Sequence, residues 1–176
     1  FFLFVHYNLI SNNYLSQIKT AQKLLLSEKE PIINLAKTIV EKINGKRIVA
    51  YGDSVFAGVI ERFRQQLNEN SKQLAWHHAL PEMNHNELVG WGGGDDSIAV
   101  LIFRSDFDNP RTKIRMDLSQ KIFKNYTPTV LELNAKGANP IEQAFYHILL
   151  GDWISILLAE SNDVDPVEIK VIEYLK

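Results

Sequence analysis

Arg47-Ile48-Val49-Ala50-Tyr51-Gly52-Asp53-Ser54 is where the period of the chain changes. From about residue 14 to residue 43 the apolar residues recur every three or four positions. From Ile48 to Tyr51 they are continuous, as expected of a strand covered on both faces of a parallel sheet. Gly52-Asp53-Ser54 then breaks the run and leads into a helical pattern over about 55–69, with Val55, Val59, Ile60, Phe63 and Leu67 inward. A buried strand, a tight turn and a helix make the first half of a βαβ unit.

Outward from this unit the alternation repeats. A second strand is expected at about 73–77 and a third, the most apolar run, at Ser97–Phe103. Asn109-Pro110 opens a helix to about 124 with Ile114, Leu118 and Ile122 on its inner face. Thr129–Leu133 reads as the fourth strand. A long helix follows over about 140–160, with Gly151 as the candidate interruption, and a last helix starts near Pro166 with Ile169, Ile172 and Leu175. Strand–helix alternation with short links predicts a doubly wound parallel sheet flanked by helices. Upstream, residues 1–10 read as a helix end closed by Ser11-Asn12-Asn13. One amphipathic helix is expected at 14–27 and another from Glu30-Pro31, proline being tolerated in a first turn, closed by Asn44-Gly45. Residues 1–44 therefore form a helical arm and 45–176 the α/β domain.

The 176 residues suffice for one domain with a proper core. A net charge of −2, with no basic run, argues against nucleic acid as the main partner. The absence of cysteine excludes disulfides and thiolate zinc sites and fits a reducing cytoplasm. The opening Phe1-Phe2-Leu3-Phe4-Val5-His6-Tyr7 is too short to span a bilayer and lacks the basic start of a signal peptide, so no membrane role is expected. It reads as the cut end of a helix, and the chain is expected to be a fragment. The nearly all-apolar stretch 140–160 suggests a helix covered by the sheet and by a partner domain or subunit.

Polar chemistry concentrates in Glu82-Met83-Asn84-His85-Asn86-Glu87, between the second strand and Gly92-Gly93-Gly94. A core segment seldom carries so many hydrogen-bonding groups, whereas a loop after a strand is where an open α/β sheet places its ligand. Glu87 is the candidate general base. The alternative is a capping box, with Asn84 as the cap and Glu87 three residues on. Ser54 belongs to a turn that could offer backbone N–H groups to a phosphate. An Asp53/Ser54 helix cap is the favoured reading, since Asp53 would repel an anion. His77, His78, His85, Glu82 and Glu87 lack the paired-histidine spacing of a helical zinc site, and no metal is expected. Trp76, Trp91 and Trp153 suit a core or a subunit contact better than a base-stacking platform.

Pro81-Glu-Met-Asn-His-Asn-Glu-Leu-Val-Gly-Trp91 closely resembles the P-E-L-N-H-N-E-I-V-G-W signature of bifunctional phosphoglucose/phosphomannose isomerases, differing at Met83 and Leu88. Gln66–Lys72, Asn109-Pro110-Arg111, Leu150-Gly151-Asp152-Trp153, Asp165-Pro166 and the terminal Ile172–Lys176 match in register. The resemblance covers about 45–176 well and the N-terminal arm loosely. It implies a C-terminal sugar isomerase (SIS) domain, flavodoxin-like with a five-stranded parallel sheet, joined by the arm to a missing N-terminal SIS domain that holds the phosphate. It implies interconversion of glucose 6-phosphate or mannose 6-phosphate with fructose 6-phosphate through a cis-enediol, without cofactor, in a homodimer.

On this resemblance Glu87 is the base and Lys176 assists at the ring oxygen. Asn84, His85 and Asn86 would orient Glu87 and the sugar hydroxyls, with Ser54 and Asn109 as further substrate contacts. Two positions depart from the family pattern. Asn109 stands where a histidine implicated in ring opening is common, leaving His85 as the candidate substitute. Val167 stands where a threonine linked to mannose 6-phosphate is common. A phosphosugar-binding or regulatory module without the chemistry is the alternative.

Overall fold

The computed structural model describes every residue except Phe1, Asn12 and Lys176. The elements in chain order are α1 (Phe2–His6), α2 (Asn13–Ile43), β1 (Arg47–Asp53), α3 (Ala57–Asn70), β2 (Ala75–Leu80), α4 (Glu87–Gly90), β3 (Ile98–Arg104), α5 (Pro110–Phe123), β4 (Val130–Asn134), α6 (Pro140–Ser161) and α7 (Lys170–Glu173). Single 3-10 turns cover Ser54–Phe56, Glu82–His85 and Trp91–Gly93.

The described strands form one parallel four-stranded sheet in the order β2-β1-β3-β4. The doubly wound parallel architecture is therefore as expected, with one strand fewer than the resemblance implied. Residue parity along β1 and β3 divides the core. Ile48, Ala50, Ala99, Leu101 and Phe103 face α2, α3 and α6. Val49, Tyr51, Val100 and Ile102 face the other layer, built from α5 and the segment around α4. Because β1 and β3 are central and buried on both faces, their apolar runs are continuous.

Four helices differ from the sequence reading, as does the turn before α3, where Val55, expected inward, is exposed. The two expected helices before β1 are one, α2, with Pro31 inside it. Ala21, Ile32, Ala36, Ile39, Val40 and Ile43 form a single buried stripe along it, and α2 packs along α6. The carbonyl that loses its donor to the proline belongs to Ser27, an exposed residue. Packing along the stripe outweighs the roughly 3 kcal/mol proline cost. Gly45, at φ 74°, closes the helix as expected.

In α5 the inner face is Thr112, Met116, Ser119 and Phe123, while Ile114 and Leu118 are exposed. The rotation is set where the helix begins. Asn109 N–H donates to Asp53 Oδ2 at 2.8 Å, and Asn109 Oδ1 accepts from Arg111 N–H at 2.9 Å. Phe123 then stacks on Tyr51, with ring centroids 5.1 Å apart.

The expected last helix is a single turn, α7, whose Ile172 is exposed along with Leu175 beyond it. A segment that short gains too little from hydrogen bonds to persist without a packed face.

Helix α6 runs unbroken through Gly151. The glycine permits close approach of α3, since a Cβ there would stand 2.9 Å from Phe63 Cδ2. Gly151→Val should therefore destabilise the domain by about 1–3 kcal/mol through overpacking. Thermal melting reads this directly, and an unchanged midpoint would show that Phe63 can yield. Phe145 and Ile148 of α6 remain half-buried and Ile156 is exposed. Among the described residues no helix is long and apolar enough to cross a membrane.

Candidate active site

Alternation along β2 puts Trp76, His78 and Leu80 on one face of the sheet, and parallel pairing sets Tyr51 of β1 beside His78. After Leu80 the chain turns through Glu82–His85 and starts α4 at Glu87, folding that residue back over β2. The Glu87 carboxylate meets three side chains. Oε1 accepts from the Tyr51 hydroxyl and from Trp76 Nε1–H, the latter at 3.0 Å. Oε2 lies 2.8 Å from His78 Nδ1. Behind them Trp91 Nε1–H donates to the Tyr51 oxygen at 3.0 Å, so indole, phenol and carboxylate form a chain of hydrogen bonds.

The Tyr51 ring is fully buried, and burial above all pushes its pKa up; its hydrogen bond to Glu87 and that residue's negative charge push the same way. The phenol is thereby kept protonated as a donor. Glu87 lines a cavity of about 200 Å³ with Trp76, Trp91, the glycines Gly90, Gly93 and Gly94, and Ile98. Its side chain keeps 25% exposure. The result is an oriented carboxylate on a partly aromatic wall, an arrangement able to accept a proton from a small polar molecule in the cavity.

The neighbours named from sequence are distributed differently. The helix cap is Asn86, whose Oδ1 accepts from Glu87 N–H at 2.5 Å. Glu87 is therefore the first helical residue, and the Asn84 capping box does not form. Asn84 turns toward α5, donating to Ser119 Oγ at 3.0 Å, and its buried Oδ1 has no partner among the described residues. His85 is exposed. None of these three side chains holds the carboxylate.

Ser54 and Asn109 do come together, around Asp53 and two residues further along β1 than Tyr51. Asp53 Oδ1 accepts from Val55 N–H at 2.9 Å and from Ser54 Oγ at 3.3 Å, while Oδ2 takes the Asn109 amide. The favoured cap reading of this turn holds. Lys176 lies outside the described residues.

His77 points to the opposite face from His78, where burial and then the nearby Arg64 pull its pKa down. Among the described residues no three His, Asp or Glu side chains converge as metal ligands.

The residues that hold Glu87 escaped the sequence reading. The usable signal was parity: Trp76 and His78 sit two apart in a strand, and Tyr51 places a phenol in an otherwise aliphatic one.

Residues 32–176 match the family model of the bacterial phospho-glucose isomerase C-terminal SIS domain. The bifunctional phosphoglucose/phosphomannose isomerase of Aquifex aeolicus is 33% identical over 162 residues, covering 91% of this chain and 51% of that protein. That of Thermoplasma volcanium is 35% identical over 156 residues, covering 86% and 50%. The chain thus spans about half the length of the curated relatives it matches. A glucose-6-phosphate isomerase like protein from Thermus thermophilus shares the fold, with a TM-score of 0.70 at 19% identity over 91% of this chain and 55% of that one. Signature, fold and a match over most of the sequence agree, and the chain belongs to the bacterial phospho-glucose isomerase C-terminal SIS domain family.

Proposed function

We propose that this domain supplies the general base of a phosphosugar aldose–ketose isomerase, interconverting glucose 6-phosphate or mannose 6-phosphate with fructose 6-phosphate. The observation that carries the reading is the Glu87 carboxylate, oriented by three side-chain donors on a cavity wall, within the stretch that bears the family signature. From the open-chain aldose, Glu87 takes the proton on carbon 2. The C–H electron pair becomes the carbon 1–carbon 2 double bond, and the aldehyde oxygen gains a proton, giving a cis-enediol. The acid returns the proton to carbon 1 while the carbon 2 hydroxyl loses its own, leaving the ketose. A positioned carboxylate suits this shuttle, since one group serves as base and then as acid.

In this reading Lys176 assists at the ring oxygen, His85 from its exposed turn stands in for the ring-opening acid, and Ser54, Asn86 and Asn109 contact the sugar, while Asn84, bonded to Ser119 of α5, holds the turn that carries His85. A second SIS domain of the same polypeptide holds the phosphate, and two copies associate through the incompletely covered faces of α2 and α6. The test is fructose 6-phosphate incubated in heavy water with the full-length protein. Deuterium should appear at carbon 1 of the ketose and carbon 2 of the aldose. One observation favours a binding module instead: Asn109 spends its carboxamide oxygen as a helix cap and cannot donate a proton as an acid would. Binding of fructose 6-phosphate without isotope exchange would support that module.

A further inference from the structure

The three donors are shared unequally between the two oxygens of Glu87. Tyr51 and Trp76 both donate to Oε1, filling its two acceptor positions. Oε2 receives one donor, His78 Nδ1–H, and among the described residues keeps one position open. With Glu87 as the ionised base of the proposed function, this nitrogen carries the proton, because an ionised carboxylate only accepts.

We propose that His78 is a positioning residue for Glu87: its ring fixes Oε2 so that the remaining lone pair of this oxygen is the one presented to the reacting carbon. The inference rests on the reading of Glu87 as base. Its physical ground is the torsion of the carboxylate. Oε1 is pinned from inside by a buried phenol and an indole, whereas the last torsion of a glutamate is broad and permits rocking. Among the described residues the one other side-chain restraint is His78, on edge strand β2, with its side chain 30% exposed. Its ring is held in register beside Tyr51 by the pairing of β1 with β2. Without it Oε2 would swing while Oε1 stayed anchored, and displacement of about 1 Å from attack geometry costs on the order of 10²-fold.

The test is steady-state isomerisation of fructose 6-phosphate by the full-length protein and its variants. Asparagine at position 78 can place an N–H near the site of Nδ1, whereas phenylalanine fills the ring volume without a donor. His78→Phe should lower kcat about 10–100-fold while KM stays within about threefold, the mark of lost orientation rather than lost binding. His78→Asn should recover kcat to within about fivefold of wild type. Added to Glu87→Gln, the phenylalanine change should cost nothing more, because the group it positions is gone.

Wild-type kcat in His78→Phe, an equal loss in the asparagine and phenylalanine variants, or a full additional loss in the double variant overturns the proposal. If His78→Phe does not fold, His78→Ala with added imidazole takes its place: recovery of kcat by imidazole supports the role and no recovery overturns it. Glu87→Gln alone separates the two readings. If it keeps wild-type turnover, the base assignment has failed. If it loses turnover while His78→Phe does not, only the positioning role has failed.

Discussion

With Glu87 as the proposed base, Glu87→Gln is expected to lower kcat of the full-length protein about 10²–10⁴-fold, the usual cost of removing a general base. The glutamine keeps the size and shape of the side chain, and its oxygen can still accept from the Tyr51 hydroxyl and Trp76 Nε1–H. What it loses is the ability to take a proton. Its amide also puts an N–H₂ where Oε2 meets the N–H of His78. With the side chain 25% exposed, that mismatch can relax into the cavity instead of disturbing the core. Turnover and isotope exchange should therefore collapse while the thermal midpoint moves by only about 2–4 °C, the shift that about 1 kcal/mol produces in a domain of this size. Exchange at near wild-type rate would remove Glu87 from the mechanism, whatever the melting curve showed.

Acidification is expected to act through a different residue. His147 of α6 is 1% exposed, donates Nε2–H to the Arg104 carbonyl at 2.9 Å and packs edge-on to Phe103. Its other ring nitrogen, Nδ1, is buried without a hydrogen-bond partner among the described residues. Burial pulls its pKa down to about 4. Above about pH 6.5 the ring is neutral folded or unfolded, and pH has no leverage through it. As the pH falls from there toward 4, the unfolded chain takes a proton that the native state refuses, and stability drops by about 1.4 kcal/mol per unit.

By pH 4 the loss reaches about 3 kcal/mol, a large share of the 5–15 kcal/mol typical of a domain. Asp108 works in the opposite sense. Burial above all raises its pKa, so the native form takes up a proton first and gains on acidification. His147→Gln isolates the histidine, since its amide N–H can still reach the Arg104 carbonyl but does not titrate. Urea unfolding at pH 7 and pH 4 should show the wild type losing about 3 kcal/mol more than the variant. Equal losses would mean that His147 is not buried neutral in the native state.

Much of the fold was legible before the structure, and the reason is local. A short apolar run such as Ile48–Tyr51 or Ile98–Phe103, bounded by turn residues, reads as a strand covered on both sides, and two such strands alternating with amphipathic helices leave few architectures open. The same locality explains the errors. Pro31 looked like a helix start because propensity weighs one turn at a time, while α2 is held by a stripe running along most of its length. On α5, Ile114 and Leu118 made as plausible an inner face as Met116 and Phe123. The choice was made by a hydrogen bond from Asn109 to Asp53, 56 residues earlier in the chain.

The site divides in the same way. Glu87 stood out from composition and from its resemblance to a known signature, because both are properties of consecutive residues. Its supports did not: Tyr51, Trp76 and His78 lie 36, 11 and 9 residues away and converge only when β1 pairs with β2 and the Glu82–His85 turn folds back over them. By itself the order of side chains determined a parallel, doubly wound sheet and a carboxylate in the loop region beyond its second strand. Only tertiary structure decided which oxygen of that carboxylate is bound and by whom, since periodicity belongs to neighbours in sequence and orientation to neighbours in space.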